Sequence, residues 1–356
     1  MATHRNAALP SLYGLLDNRR QNNIDMLRAI AVAAVVIHHA QAIFGGDFPF
    51  LGDYGGQFGV QLFFLISGYL ISASHARYSV REYATHRFFR IMPAYLMFFL
   101  GIGIYNGVIT WASVSETPWK FLANLTLMQH LFPAALLRYD ALHVSWSLTV
   151  EVLWYAAVPL LLWRRRMSTP LVVIITVIST IWMVVANLHL LDGLHPGVTD
   201  TNPAFSYLFL ANHFIAQACF FAFGSWIFFH EDKLRHLNPL TLWMLGMLVF
   251  ILRPYYFFYN PIFITGIGLG FFMLAALNSQ PVRNRMIFYI SETSYAIYLC
   301  HLPILILVHN RWQMTGIAGV ATAVALTLLT ATCSYILVEK PAIRLGRRLA
   351  RPAAKH

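Results

Sequence analysis

Charged residues are scarce in this sequence, and acidic residues are scarcer still. Only 11% of the 356 residues are charged, and 14 residues in all are Asp or Glu. The hydrophobic share is 58% and the mean hydropathy is +0.59, whereas an average soluble domain is about 45–50% apolar. This balance excludes an ordinary soluble domain and indicates an integral membrane protein.

Cysteine is also rare. The chain has three cysteines, Cys219, Cys300 and Cys333, and each lies within an apolar segment. Cysteines in such surroundings usually pack as small hydrophobic side chains. We therefore expect no structural disulfide, no zinc centre and no other metal site.

The apolar runs have the length of a helix that crosses a membrane, which is about 20 residues for roughly 30 Å of hydrocarbon. They lack the period-two alternation of a membrane barrel. The sequence therefore predicts an all-α, polytopic transmembrane helical bundle with about ten spanning helices. The predicted spans are 24–44, 56–74, 90–110, 145–163, 170–190, 205–229, 240–258, 261–278, 287–309 and 315–338. A further apolar segment, 118–137, is predicted to be re-entrant or interfacial.

Basic residues set the predicted orientation of the bundle. The formal net charge is +11, from 25 Lys and Arg against 14 Asp and Glu. If the N-terminus is cytoplasmic and 118–137 does not span, the inner side collects every Lys and Arg except Lys120, Arg138, Arg253 and Arg311. This asymmetry follows the positive-inside rule. Both termini are therefore predicted to be cytoplasmic.

This topology leaves one membrane domain between two short tails. We expect a cytoplasmic tail at 1–22, a single transmembrane domain at 23–341 and a basic cytoplasmic tail at 342–356. Because the positive charge is clustered at helix ends, it indicates contact with the lipid bilayer and no nucleic-acid partner.

Ionisable residues at membrane depth mark a candidate site, because they are costly there and usually functional. In "RAIAVAAVVIHH", residues 28–39, eleven positions separate Arg28 from His39. At about 100° per residue, both side chains project from nearly the same helix face, whereas His38 points about 80° away. One face thus carries a cation near the inner end and an imidazole near the outer end.

Glu151 is predicted to reach the same depth as His39. It lies in "HVSWSLTVEVLWY", in which His143, Ser147 and Glu151 follow an i, i+4, i+8 pattern and would share a helix face. A carboxylate beside an imidazole can prepare a general base, so His39 and Glu151 are the predicted catalytic residues. A hydrogen-bonded pair that merely joins two helices is the alternative.

Arginines near the inner side are candidates for phosphate binding. "THRFFRIMPAY" places Arg87 and Arg90 one turn apart at the start of the third span, level with Arg28. Arginine binds phosphate through planar, charge-assisted hydrogen bonds. Membrane anchoring is the alternative, and it is the interpretation we prefer for Arg77 and for the arginines at 164–166.

Two further segments carry polar residues. In "SYAIYLCHLPIL", Tyr298 and His301 share a face with Ser294, and with Ser147 they are candidates for binding a hydroxylated acceptor or for pairing across helices. In "FFLISGYLIS", Ser67 and Gly68 favour close helix packing, with a nucleophilic serine as the alternative.

Six motifs in this order resemble the acyltransferase family 3 integral membrane proteins, from about Asn23 to Pro341. They are "NIDMLRAIAVAAVVIHHA", "FGVQLFFLISGYLI", "RFFRIMPAY", "WSLTVEVLWY", "SYAIYLCHLPIL" and "VEKP". The family's hallmark is an arginine or lysine, ten residues and then a histidine, which selects Arg28 and His39. Arg90 and Glu151 match further motif positions, and Gln61 stands where the family commonly has an aspartate.

The resemblance implies an O-acyltransferase that moves an acyl group, most often acetyl, from cytoplasmic acyl-CoA to a carbohydrate hydroxyl. The acceptors of the family include exopolysaccharide, lipopolysaccharide, and lipid-linked or signalling oligosaccharides. It implies that His39 and Glu151 are the catalytic residues and that Arg28 and Arg90 bind acyl-CoA. It also implies that the protein lies in a bacterial inner membrane. A proton-coupled transporter is the alternative, because buried His, Glu and Arg also serve as proton relays.

Overall fold

The computed structural model describes residues 19–162, 166–191, 193, 208–252 and 262–350, and every regular element within these ranges is helical. The first three helices are long: α1 (Arg19–Phe44), α2 (Leu51–Arg77) and α3 (Val80–Tyr105). Short helices follow: α4 (Trp111–Glu116), α5 (Pro118–Leu125) and α6 (Pro133–Tyr139). The predicted inner arginines at 164 and 165, the predicted outer arginine at 253, residues 1–18 and residues 351–356 lie outside the described residues.

The second half of the chain is again built of apolar helices. They are α7 (Trp146–Leu161), α8 (Thr169–Asn187), α9 (Phe214–Leu234), α10 (Pro239–Leu252), α11 (Ile262–Asn278), α12 (Arg285–Ile306), α13 (Gly316–Ser334) and α14 (Lys340–Leu349). Single π-helical turns extend α12 at Leu307–Arg311 and join α13 to α14 at Tyr335–Glu339.

Within the described ranges, seven helical stretches are long and apolar enough to cross a membrane. They are α1, α2, α3 and α8, and the stretches Leu208–Leu234, Arg285–Arg311 and Gly316–Leu349. Three shorter apolar helices, Trp146–Leu161, Pro239–Leu252 and Ile264–Asn278, occupy the positions of the other predicted spans. The prediction of a helical integral membrane protein is therefore confirmed.

The apolar segment 118–137 does not form one spanning helix. It divides into α5, a single 3₁₀ turn at Gln129–Leu131 and α6, each far shorter than the roughly 20 residues that a crossing needs. Pro118 and Pro133 stand in the first turns of α5 and α6, where proline is well tolerated. The Asn124 side-chain amide donates to the Ala135 carbonyl oxygen at 2.9 Å and ties the two helices together. The segment thus contains no single helix long enough to cross a membrane, which agrees with the re-entrant or interfacial segment that its charge pattern predicts.

The third long helix, Val80–Tyr105, begins well before the predicted span at 90–110. Its first turn is closed by a capping box. The Ser79 hydroxyl accepts the Glu82 amide at 3.3 Å, and the Glu82 carboxylate accepts the Ser79 amide at 2.9 Å. Hydropathy misses this start because the first turns of α3 are polar. Arg90 therefore lies well inside the helix.

α2 packs directly against α9 through small residues. A Cβ atom on Gly68 would lie 2.1 Å from the Phe221 carbonyl oxygen, and one on Gly224 would lie 1.9 Å from the Leu65 carbonyl oxygen. The two backbones thus touch, as small residues allow in membranes. The prediction of close helix packing beside Ser67 is confirmed at Gly68.

α14 packs back against α3. Gly346 faces Phe89 so closely that a Cβ atom would lie 2.6 Å from the Phe89 Cβ. The segment expected to be a basic tail is therefore helical as far as Leu349. This packing brings Arg347 to the basic residues of α3, and both line one cavity.

Candidate active site

The two ends of the bundle carry different polar residues. We call the end that holds Arg28, Arg77 and Arg90 the basic end, and the end that holds His39 and His301 the histidine end. The eleven positions of α1 between Arg28 and His39 correspond to a rise of about 16 Å. The two ends are therefore separated by about half the thickness of the hydrocarbon core.

α1 and α12 run side by side in the same direction, and polar contacts join them at both ends. At the basic end, Arg28 Nη2 donates to Ser294 Oγ at 2.8 Å. At the histidine end, His39 Nδ1 lies 3.0 Å from His301 Nε2. Arg28 and His39 thus both face α12, which agrees with the shared helix face that their spacing predicts.

Asp25 holds Arg28 in place. The Asp25 carboxylate is buried, accepts the Ser291 hydroxyl at 2.7 Å and lies 4.0 Å from Arg28 Nη1. A buried carboxylate needs such partners, because an unpaired charge in this environment is costly. Asp25 and Ser294 together fix the direction of the Arg28 guanidinium.

A cavity of about 590 Å³ opens at the basic end and extends into the bundle. Among the described residues, its wall contains one acidic side chain, Glu151, and five arginines: Arg28, Arg77, Arg87, Arg90 and Arg347. These arginines come from α1, α2, α3 and α14. The cavity is therefore suited to a ligand with several negative charges at one end.

Arg77 and Arg347 are site residues that the sequence interpretation missed. Arg77 is predicted to be a membrane anchor and Arg347 to belong to the basic tail, but both line the cavity. The reason lies in packing: Arg77 ends α2 beside α3, and α14 folds back onto α3. Hydropathy and spacing along one helix do not show either contact.

Glu151 lies inside the cavity, and its carboxylate is held by two hydroxyl groups. Ser67 Oγ donates to Glu151 Oε1 at 2.7 Å, and the Tyr155 hydroxyl donates to the same oxygen at 2.6 Å. No hydrogen bond among the described residues joins Glu151 to His39. The His39 ring instead contacts His301, at 3.0 Å, and the backbone of Val35 one turn earlier on α1. Glu151 faces α2, whereas His39 faces α12.

Arg87 packs on aromatic rings beside this carboxylate. Its Cζ atom lies 5.4 Å from the ring centre of Tyr155 and 5.8 Å from that of Tyr83. Such cation–π contacts stabilise a guanidinium that is partly removed from water. Ser67, Tyr155 and Arg87 therefore form one wall of the cavity together with Glu151.

The prediction that His143, Ser147 and Glu151 share a helix face is wrong for His143. α7 begins at Trp146, and His143 lies in the preceding loop with a positive φ of 59°. Its ring nitrogen Nδ1 lies 3.5 Å from the Asp140 carboxylate, which raises the pKa of His143, mainly by accepting its hydrogen bond. Ser147 and Glu151, one turn apart on α7, do line the cavity together.

Ser147 and Tyr298 meet at the deep end of the cavity. Ser147 Oγ lies 2.7 Å from the Tyr298 hydroxyl, and both oxygens lie 3.1 Å from the Val144 carbonyl oxygen. One hydroxyl donates to the other, and the second donates to Val144. Both residues line the cavity, and the Tyr298 ring centre lies 5.8 Å from that of His301. Tyr298 therefore contacts both the cavity and the histidine pair.

His39 and His301 lie beyond Tyr298 and are not among the residues that line the cavity. Their ring centres are 5.1 Å apart and their planes are inclined by 42°. His38 turns away, and its Nδ1 donates to the Gly52 carbonyl oxygen at 2.6 Å. The rings of His38 and His39 lie 5.1 Å apart but have different hydrogen-bond partners, as the helix-face argument predicts.

No group of three or more His, Cys, Asp or Glu side chains within the described part of the chain is placed to hold a metal ion. The chemistry available at this site is that of arginines, a carboxylate, hydroxyl groups and paired imidazoles. Such groups can bind an anion, move a proton and position a nucleophile.

Comparison with known proteins identifies the family. A family model described as an acyltransferase domain matches residues 21–339. The chain is similar to Nodulation protein 10 of Rhizobium leguminosarum bv. viciae, with 26% identity over 92% of this chain and 95% of that protein. It is also similar to the peptidoglycan O-acetyltransferase OatA of Listeria monocytogenes, with 25% identity over 91% of this chain and 56% of that protein. The O-acetyltransferase OatA of Staphylococcus aureus is 24% identical over 91% of this chain and 57% of its own length.

No solved structure gave a significant match. The family match covers the helices that carry Arg28, His39, Arg90, Glu151 and His301, and it decides against a transporter. The chain belongs to acyltransferase family 3 and is a membrane-embedded O-acyltransferase.

Proposed function

We propose that this enzyme transfers an acyl group, with acetyl as the first candidate, from cytoplasmic acyl-CoA to a hydroxyl of a carbohydrate acceptor. The observation that carries the proposal is the cavity. It leads from five arginines to Ser147 and Tyr298, and Tyr298 packs against the His39–His301 pair. A charged entrance and a deep end beside imidazoles suit a donor with phosphates at one end and a reactive thioester at the other.

The basic end would hold the nucleotide of acyl-CoA. In this proposal Arg28 and Arg90 bind its phosphates, and Arg77, Arg87 and Arg347 share the charge. The pantetheine arm would then pass Glu151 toward Ser147 and Tyr298. Movement of the Tyr298 side chain would let the thioester reach His39.

We propose that the two ends of the bundle lie on opposite sides of the membrane. We propose ten spans within a single transmembrane domain at 23–341, with both termini and the basic end in the cytoplasm. The three relatives described above are bacterial, which supports a bacterial inner membrane as the location. The histidine end would then face the outer side, where the carbohydrate acceptor would bind.

His39 would act as the general base of the transfer. It takes the proton from the acceptor hydroxyl while that oxygen attacks the thioester carbonyl. The C–S bond breaks, the departing thiolate of CoA receives the proton, and the products are the ester and free CoA. A second route has His39 carry the acyl group transiently, and trapping of labelled enzyme in the absence of acceptor distinguishes the two.

The other predicted site residues keep supporting roles in this proposal. Ser147, Tyr298 and His301 are the sequence-predicted substrate contacts, and the first two lie at the deep end of the cavity. Glu151 is proposed to act inside the cavity, where it holds Ser67 and Tyr155 beside the path of the donor. It would not orient His39 directly, since no hydrogen bond joins the two among the described residues.

Transfer of radiolabel tests this function. Membranes that contain wild-type enzyme, His39→Gln or His38→Gln are incubated with labelled acetyl-CoA, and lipid-linked and polysaccharide fractions are counted. His38 is a matched control because it neighbours His39 but donates to the Gly52 carbonyl oxygen. We expect labelled carbohydrate with wild type and His38→Gln, and a fall of at least about 100-fold with His39→Gln.

Two results of the same experiment would overturn the proposal. Equal labelling with folded His39→Gln would exclude His39 as the base. Absence of label in every sample, together with absence of acyl-CoA binding, would exclude acyl-CoA as the donor. A positive result also narrows the acceptor, because the labelled fraction identifies its chemical class.

A further inference from the structure

The contacts of His301 indicate a role other than the substrate binding that its sequence pattern predicts. His301 is fully buried on α12, and both ring nitrogens already have partners in the protein. Nδ1 lies 2.8 Å from the Tyr298 carbonyl oxygen and 3.1 Å from that of Ile297, while Nε2 faces His39. Neither nitrogen is left for an acceptor hydroxyl.

The partners of His301 determine where its hydrogen lies. A carbonyl oxygen only accepts hydrogen bonds, so the Nδ1 atom that faces two carbonyl oxygens must carry a hydrogen and donate. A fully buried imidazole inside a membrane protein is costly to charge, so the ring is neutral and has only one hydrogen. The Nε2 atom of His301 therefore has a lone pair and accepts.

This assignment passes to His39 through their contact. Because His301 Nε2 accepts, the His39 Nδ1 atom 3.0 Å away must donate. A neutral His39 then has its lone pair on Nε2, on the opposite side of the ring. The carbonyl groups of one turn of α12 thus act on the tautomer of His39 on α1, together with the hydrogen bond that the His39 ring makes to the Val35 backbone.

We propose that His301 is a positioning residue that fixes His39 in the tautomer with hydrogen on Nδ1, and so makes His39 Nε2 the atom that takes the proton from the acceptor. This inference rests on the proposed role of His39 as general base. His301 acts through His39 and does not touch the substrate. It does for His39 what a carboxylate does behind a catalytic histidine in other enzymes.

The arrangement suits a site within a membrane. A carboxylate behind His39 would add a buried negative charge, whereas a backbone-anchored imidazole adds none. The Glu151 carboxylate does not take this role, because it is already held by hydrogen bonds from Ser67 and Tyr155. His38 does not compete for His301, since its own Nδ1 donates to the Gly52 carbonyl oxygen.

Kinetics of two His301 variants separate positioning from substrate binding. His301→Gln offers an amide oxygen that can accept from His39 Nδ1, whereas His301→Leu fills similar space without an acceptor. We expect His301→Leu to lower kcat at least about tenfold with little change in the KM of donor or acceptor, and His301→Gln to recover part of the loss. A rise in the acceptor KM with unchanged kcat would overturn the proposal in favour of substrate binding.

The tautomer can be measured without any activity. Solid-state NMR of enzyme labelled with ¹⁵N-histidine in lipid bilayers at neutral pH distinguishes a protonated from an unprotonated Nδ1, and His39→Gln assigns the signal. We expect protonated Nδ1 in wild type and in His301→Gln, and a mixture of tautomers in His301→Leu. An unprotonated Nδ1 of His39 in wild type would overturn the proposal even if His301→Leu failed to fold.

The two readouts also separate this inference from the proposed function. If the NMR result is as expected but His39→Gln retains full transfer, the role of His39 as base fails while the tautomer assignment stands. If His39→Gln abolishes transfer but wild type has an unprotonated Nδ1, the base stands and the role of His301 fails.

Discussion

The contact between α2 and α9 predicts a large effect from one added methyl group. In Gly224→Ala the new Cβ would lie 1.9 Å from the Leu65 carbonyl oxygen, and contacts of Cβ atoms below 3.0 Å essentially do not occur. The Leu65 carbonyl oxygen belongs to the backbone, so it cannot rotate away from the new methyl group as a side chain could. The two helices must therefore separate by about 1 Å. Overpacking of this kind costs about 1–3 kcal/mol, and we expect the upper part of that range.

The separation should also reach the active site. α2 carries Ser67, whose hydroxyl lies 2.7 Å from Glu151, and a shift of about 1 Å would break that hydrogen bond. We therefore expect Gly224→Ala to lower the thermal midpoint of the detergent-solubilised enzyme by several degrees and to reduce acyl transfer. Gly224 itself does not line the cavity, so the loss of activity would result from the displacement of α2.

A matched control is available on α3. A Cβ atom on Gly101 would meet nothing within 4 Å, so Gly101→Ala should keep the wild-type midpoint or raise it slightly. Both midpoints are measured by the fraction of enzyme that stays monodisperse after heating. If Gly224→Ala matched Gly101→Ala in stability and activity, the direct contact of the α2 and α9 backbones would be refuted.

Three further predictions concern single side chains. Arg347→Gln should weaken acyl-CoA binding by about 2- to 5-fold in calorimetric titration, because an exposed ion pair contributes at most about 1 kcal/mol. Arg348→Gln, one residue along α14 but outside the cavity wall, should change little, and equal effects would contradict the assignment of Arg347 to the donor site. Glu151→Gln should preserve the thermal midpoint but lower kcat, since a neutral amide holds Ser67 and Tyr155 less firmly than a carboxylate. An unchanged kcat would exclude a role of Glu151 in the reaction. The Asp140 carboxylate raises the pKa of His143, so the pair stabilises the folded state at pH values below the ordinary histidine pKa of about 6.5 and loses this effect as pH rises through the raised pKa. Asp140→Asn should therefore lower the thermal midpoint more at pH 5.5 than at pH 8.5, and an equal difference at both pH values would contradict this sign.

Much of the fold is legible in the sequence because the bilayer imposes one simple requirement. Each span must satisfy its backbone hydrogen bonds within itself and present about 20 apolar residues to lipid. Each predicted span overlaps a helix in the described part of the chain for this reason, and the charge pattern also predicts that 118–137 does not span. The start of α3 is missed because the Ser79–Glu82 capping box is a local polar signal that hydropathy averages away.

The sequence predicts the arrangement of site residues only where these residues lie on one helix. The spacing of Arg28 and His39 predicts their shared face, and both do face α12. The partners of His39 and Glu151 depend instead on which helices pack together, and periodicity along one helix carries no information about that. The same reason explains Arg77 and Arg347, which join the cavity through packing against α3.

The measurement that tests the account most directly is the sidedness of transfer. Sealed membrane vesicles of inverted and of right-side-out orientation are given labelled acetyl-CoA, which does not cross the bilayer, and incorporation into carbohydrate is followed with wild-type enzyme and with His39→Gln. We expect label in inverted vesicles, where the basic end is exposed, no label in right-side-out vesicles, and none in either with His39→Gln. Label in intact right-side-out vesicles, or label that persists with folded His39→Gln, would contradict this expectation.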